Sequence, residues 1–188
     1  MTGKLIIFSA PSGSGKTTIL KKLLEKGLPL AFSVSATSRS KREGEVDGKD
    51  YYFMTPDEFK SKIENDEFLE WEEVYAGNYY GTLKSELKRI WDAGMHVVFD
   101  LDVLGGVNVK TLFADKALGI FIQPPSIDEL EKRLLGRSTE TPESLKKRLS
   151  RAQMELAYAG RFDVCIVNDD VSKAVKIAEQ KIIDFINT

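Results

Sequence analysis

The sequence predicts an α/β fold in which a mostly parallel sheet is flanked by helices, with a small mixed β/α subdomain inserted into it and a lid. Three observations carry this. Short apolar runs alternate with helical patterns along most of the chain. A Gly/Ser-rich loop joins the first such run to the first helix. Between about residues 33 and 82 the alternation breaks into consecutive short strands and one short helix. A chain of 188 residues is one domain with small insertions, at roughly 100–200 residues per domain. The expected division is a core of about residues 1–32 and 83–188, an insertion at 33–82 and a lid at 136–152.

Taken in order, residues 4–9 (KLIIFS) form a strand apolar enough to be buried on both faces. Residues 17–26 carry Ile19, Leu20, Leu23 and Leu24 at helical spacing, and Gly27 follows as a stop. Residues 31–36 read as a strand, 37–49 as a polar loop, and 50–54 as a short aromatic strand. Thr55, Pro56 and Glu58 supply an N-cap, a first-turn proline and the third member of a capping box. Residues 67–75 look like an exposed strand ending in a Gly77-Asn78 turn, and 83–93 like an amphipathic helix stopped by Gly94. A strand at 95–100 ends beside two acids, Asp100 and Asp102, and a further strand covers 117–122. Ser126 and Glu129 read as a second capping box opening a helix to about Gly136, and Thr141-Pro142 opens a longer one to about residue 159. A strand at 164–167 and a helix at 172–186 close the chain.

Composition removes several classes of function. Lys plus Arg total 27 and Asp plus Glu 29, a net charge of −2, which does not suit a protein that coats nucleic acid. One Cys and one His cannot form an internal disulfide or a Cys/His zinc site. The longest apolar runs, residues 5–8 and 97–99, fall far below the ~18 residues of a membrane span. The expectation is a reduced, cytoplasmic, soluble domain with no nucleic-acid or membrane partner. Cys165 reads as a small core hydrophobe, His96 as structural and Arg151 as a surface cation.

Residues 10–17 (APSGSGKT) have the form [A/G]-x4-G-K-[S/T] between a strand and a helix, the context a phosphate loop requires. Gly13 and Gly15 free the backbone so that successive N–H groups converge on phosphate oxygens, and the helix N-terminus adds its positive end. Lys16 would reach the terminal phosphates, and the Thr17 hydroxyl would reach Mg²⁺. The sheet is therefore expected to be of the P-loop NTPase type. Ala10, Pro11, Ser12, Gly13, Ser14, Gly15, Lys16, Thr17 and Thr18 are the candidate ATP-binding residues.

A second cluster lies in the insertion. Arg39, Lys41 and Arg42 place three cations in four positions. Charge runs are usually solvated surface, but two tyrosines follow, Tyr51 and Tyr52, and residues 68–71 (FLEW) set Glu70 among large apolar neighbours. Cations for a phosphate, an aromatic for a base and an acid for the base edge together suit a nucleoside monophosphate.

Residues 33–53 (SVSATSRSKREGEVDGKDYYF), 67–71 (EFLEW), 77–81 (GNYYG) and the phosphate loop closely resemble guanylate kinase. The resemblance continues through 99–105, 121–137 (FIQPPSIDELEKRLLGR) and 161–169, nearly the whole chain in family order. It implies phosphoryl transfer from ATP to GMP with Mg²⁺. By resemblance Arg39 and Arg42 hold the GMP phosphate, with Tyr51 and Tyr80 as hydroxyl donors, and Ser35, Glu70 and Thr82 read guanine. Lys16, Arg39, Arg137 and Arg148 would act on the transferring phosphates, with Arg133 a weaker match. Asp100 and Asp102 would lie near Mg²⁺ through its waters, Asp100 also at the GMP side, and Asn168 near adenine. Ala10 replaces the commoner glycine, and Leu104 stands where the family usually has glutamine, so that position is given no role. A non-catalytic guanylate-kinase-like interaction module is the alternative, and a homodimer is left open.

Overall fold

The computed structural model describes residues 3–136 and 142–188. Its strands form two sheets, one of five strands in the order Leu30–Phe32, His96–Asp100, Leu5–Ser9, Ala117–Gln123 and Val164–Val167, and one of four in the order Tyr52–Phe53, Ala36–Thr37, Asn78–Leu83 and Phe68–Tyr75. The described residues divide into two compact units: Gly3 with Pro29–Val98, and Lys4–Leu28 with the described part of Phe99–Thr188. The first takes in more than the expected insertion, because the strand before it and the helix after it pack with it.

In the second unit, β1 (Leu5–Ser9) pairs in parallel with β8 (Ala117–Gln123), which pairs in parallel with β9 (Val164–Val167). Every residue of β1 is buried, as its unbroken apolar run requires. α1 (Lys16–Leu24) turns Ile19, Leu20 and Leu23 inward. α4 (Val103–Phe113) packs on β1 and β8, and α7 (Val171–Ile186) packs on β8, β9 and α1. α5 (Ile127–Leu135) meets α6 (Pro142–Leu156) through Leu130, Leu134 and Ala152, with Leu145 and Leu149 alongside.

In the first unit, β2 (Leu30–Phe32) pairs in parallel with residues 96–98 of β7 (His96–Asp100), whose last two residues belong to the second unit. The four-stranded sheet is mixed: β3 (Ala36–Thr37) is parallel to β4 (Tyr52–Phe53) and antiparallel to β6 (Asn78–Leu83), which is antiparallel to β5 (Phe68–Tyr75). α2 (Pro56–Glu64) carries the complete capping box: the Thr55 hydroxyl accepts from the Glu58 N–H at 3.2 Å, and the Glu58 carboxylate accepts from the Thr55 N–H at 2.7 Å. Its Phe59 stacks on Phe68 at 4.2 Å and on Tyr79 at 5.4 Å between ring centres, giving this unit an aromatic core of its own. α3 (Lys84–Asp92) follows β6 directly.

Several expectations need correction. The single strand read at 31–36 is two strands of different sheets, since Ser33 still donates to the Val98 carbonyl while the Val34 N–H turns to a side chain of α3. Strand β6 and helix α4 were not expected. Ser126 caps α5 by accepting from the Glu129 N–H at 3.1 Å, but the Glu129 carboxylate takes Arg133 instead of closing a box. Cys165 is exposed on the edge strand β9 and not a core residue. Thr141 and part of the expected lid lie outside the described residues. Among the described residues no helix is long and apolar enough to cross a membrane.

Candidate active site

The phosphate loop leaves β1 and enters α1. Gly13 and Gly15 adopt φ of 96° and 90°, a region costly for any residue with a Cβ. At Gly15 a Cβ would also collide with the side-chain amide of Asn168. That amide donates to the Ser14 carbonyl at 2.7 Å, and Asn168 is buried. The Asn168 carbonyl in turn accepts from Arg133 at 3.1 Å. Asn168 thus braces the loop from behind through groups already engaged with the protein. Gly13 lies against Leu130 and Leu134 of α5, so the loop is fixed on that side too.

Lys16, on the first turn of α1, forms an ion pair with Asp100 at the end of β7 and donates to the Leu101 carbonyl at 3.1 Å. Ser9 secures the same turn, its hydroxyl lying 3.0 Å from the carbonyl oxygens of both Leu101 and Asp102. The Asp102 carboxylate caps α4, accepting from the Gly105 N–H at 2.8 Å. Thr17 and Thr18 are exposed beside the loop, Ala10, Pro11 and Ser14 are buried within it, and Ser12 is exposed at its tip. From α6, Arg148 reaches the Ser12 hydroxyl at 3.2 Å. Arg137 lies outside the described residues, and Arg151 pairs with Glu155 on its own helix at 2.9 Å.

The second cluster gathers within the other unit. Arg39 is clamped by Glu45 through two hydrogen bonds of 2.6 and 2.7 Å, and Glu45 also accepts from the Arg42 N–H at 2.8 Å. The guanidinium sits 5.0 Å from the Tyr51 ring centre and 5.5 Å from that of Phe53. Tyr51 meets Tyr80 edge-on at 6.0 Å. Hydrogen bonding to Arg39, helped by the Arg42 N–H, pulls the Glu45 carboxyl down to about 2, and Glu45 foremost pushes Arg39 further above its ordinary value. Arg42 itself is exposed. Glu45 was missed from the sequence; its signal is an acid six residues beyond Arg39, brought back across Gly44, whose φ is 84°.

On the facing strands, Glu70 of β5 stands opposite Thr82 of β6. The Thr82 hydroxyl donates to Glu70 at 2.7 Å and is almost wholly buried, at 1 % exposure. Ser35 is half-buried between β2 and β3. Arg39, Tyr51, Tyr80, Glu70, Thr82 and Ser35 therefore all belong to one compact unit, while the phosphate loop, Lys16, Asp100, Asp102, Arg148 and Asn168 belong to the other.

A glycine loop after the central strand of a parallel sheet, its lysine seated on the carboxylate ending the neighbouring strand, puts this chain among the P-loop nucleotide-binding proteins. A family model described as guanylate kinase matches residues 2–184. A guanylate kinase of Bacteroides thetaiotaomicron is 54% identical over 187 residues, covering 100% of this chain and 92% of that protein. One from Porphyromonas gingivalis is 50% identical over 184 residues, covering 97% and 98%. The crystal structure of guanylate kinase from Anaplasma phagocytophilum is similar with a TM-score of 0.78 at 29% identity, covering 100% of this chain and 88% of that one. The chain belongs to the guanylate kinase family.

Proposed function

We propose that this protein transfers the γ-phosphate of ATP to GMP, giving ADP and GDP. The observation that supports it best is the pairing of two different anion sites in one chain: a glycine loop with Lys16, and an Arg39 cradle beside a guanine-complementary pair, Glu70 and Thr82. Guanine offers N1–H and N2–H donors side by side, which a carboxylate accepts, whereas adenine presents a bare N1 acceptor that a carboxylate repels. Ser35 completes the base contacts, and Arg39, Arg42, Tyr51 and Tyr80 take the phosphate of GMP.

The reaction needs little covalent help, because the acceptor phosphate is already anionic at neutral pH. What the protein supplies is alignment and charge. The N–H groups from Gly13 to Thr18 would hold the ATP phosphates, and Lys16 would neutralise charge on the group in flight. Arg148, which reaches the Ser12 hydroxyl, would act on the same phosphates, and Arg137 would join it by family resemblance. Asn168 contributes through the loop it braces. The donor set suits a hard cation that keeps most of its waters: an exposed Thr17 hydroxyl, the Asp100 and Asp102 carboxylates close together in sequence, and no group of three or more His, Cys, Asp or Glu among the described residues able to form a cage. Thr17 would hold Mg²⁺ directly and the two aspartates through water; the metal would supply charge neutralisation of the phosphates. A cytoplasmic setting, where ATP and GMP occur together, belongs to the same reading.

The interaction-module alternative is not favoured, since Lys16, Thr17, Arg39 and Arg42 are all present. A coupled assay of ADP release with ATP and, in turn, GMP, dGMP, AMP, UMP and CMP tests the reading. ADP release should depend on GMP. Release without GMP, or equal rates with AMP, would overturn it.

A further inference from the structure

Glu86 is a carboxylate on α3 that the reaction above does not use, and it is buried to 2 % exposure. It sits in the first turn of its helix, but the cap is Leu83, which has no hydroxyl to share. The carboxylate turns instead to the unit around it. One oxygen accepts from the Val34 N–H at 3.0 Å and from Arg89 at 2.6 Å; the other accepts from the Tyr52 hydroxyl and from Arg89, both at 2.9 Å. Burial alone would raise the Glu86 carboxyl, but the bonds from Arg89, Val34 and Tyr52 outweigh it and hold it below the ordinary carboxylate range. Buried charge with this many donors is strongly fixed in place.

The two segments it grips each carry a residue of the GMP site in the adjacent position. Val34 precedes Ser35, and Tyr52 follows Tyr51. Tyr51 and Tyr52 lie on extended backbone, so their side chains point to opposite faces. Holding the Tyr52 hydroxyl therefore turns Tyr51 to the opposite face, where it meets Arg39 and Tyr80, and holding the Val34 N–H fixes the backbone that leads into Ser35. The grip is also closed on itself: the Tyr52 N–H donates to the Ser35 carbonyl at 2.9 Å. The ring runs from Glu86 to Val34, through the peptide to Ser35, across to Tyr52 and back to Glu86.

We propose that Glu86 is a positioning residue for GMP, setting the base-reading Ser35 and the phosphate-binding Tyr51 through the backbone of Val34 and the hydroxyl of Tyr52. This rests on the reading of Ser35 and Tyr51 given above. It predicts a specific kinetic pattern, in which the GMP side suffers and the ATP side does not.

The test is steady-state kinetics on the full chain with Glu86→Gln, Tyr52→Phe, Ser35→Ala and the Glu86→Gln/Ser35→Ala pair. Loss of a charge-assisted bond in a positioning network should raise KM for GMP by about tenfold in Glu86→Gln. KM for ATP should stay within about twofold, and kcat at saturating GMP within about threefold. Tyr52→Phe, which removes one hydroxyl and keeps the ring, should move KM for GMP in the same direction by a few-fold. The paired variant should show less than the product of its single effects, because the residue being positioned is gone. If Glu86→Gln does not fold, Tyr52→Phe carries the same expectation. Equal rises in both KM values, an unchanged KM for GMP, or fully multiplicative effects would overturn the inference. Failure of the underlying reading looks different: Ser35→Ala alone would then leave KM for GMP untouched.

Discussion

Replacing Glu70 by glutamine tests guanine recognition at its most exposed point. Thr82 is buried, so its hydroxyl proton has no water to turn to and stays on Glu70 Oε1 at 2.7 Å. In Glu70→Gln the amide oxygen is therefore held by Thr82, and the NH₂ group is left facing the N1–H and N2–H donors of guanine. A charge-assisted acceptor becomes a donor set against donors. The loss should be about 2–4 kcal/mol, or roughly 30- to 1,000-fold in kcat/KM for GMP. KM for ATP should barely move, because the glycine loop is unchanged. Discrimination against AMP should relax, without strong AMP activity appearing. A coupled assay with GMP and AMP, each varied at saturating ATP, measures all three. Parental kcat/KM for GMP in the variant would refute the reasoning and make Glu70 a structural acid.

Other substitutions separate the remaining parts. Lys16→Ala removes the cation proposed to neutralise the transferring phosphate and should lower kcat by about 10²–10³-fold, with cooperative melting preserved; turnover at the parental rate would refute the loop's role. Thr55→Ala breaks the capping box of α2 and should cost about 1 kcal/mol in denaturant unfolding, with kcat unchanged; no loss of stability would show the box to be inert. The Glu45 carboxyl has its pKa depressed to about 2 in the fold, below the ordinary ~4.3. Its bond to Arg39 should therefore be complete above about pH 5 and lost as pH falls through about 2. The carboxyl carbon shift of Glu45 followed by NMR should show that low midpoint, and one near 4.3 would refute the clamp.

Much of this molecule is legible in its sequence, and the exceptions have physical causes. β1, α1 and the capped α2 announce themselves because apolar period, cap and turn residues agree. α4 does not. Gly105 and Gly106, with Val103, Val107 and Val109, argue locally against a helix. Tertiary contact overrides that local preference: a Cβ at Gly106 would come within 2.6 Å of the Ser9 hydroxyl and 3.2 Å of the Phe162 ring. Asp102, proposed to stand near a metal through water, also caps this same helix. β6 was obscured by Gly77 before it, Asn78 at its start and Gly81 within it, which suggest a turn although its two tyrosines favour a strand. In the site, short motifs located the loop and the arginines, but pairings across the chain were invisible. Nothing local links Asn168 to Ser14, Glu86 to Val34, or Arg148 to Ser12, since each pair meets only through tertiary packing.

The clamp on Arg39 changes how an anion is received. A phosphate arriving there does not meet a bare cation; it meets a guanidinium already matched to a carboxylate, on a chain with a net charge of −2. On the proposed reading, capture of GMP at Arg39 would exchange one anion for another, and much of the gross attraction at that residue would cancel between the two states. Its dependence on ionic strength should be shallower than two surface arginines would give. The same pairing would make Arg39 itself a poor attractor for the abundant polyanions of a cell, RNA among them. On the same reading, a ligand that also satisfies Glu70 and Thr82 would gain enough from the exchange to stay.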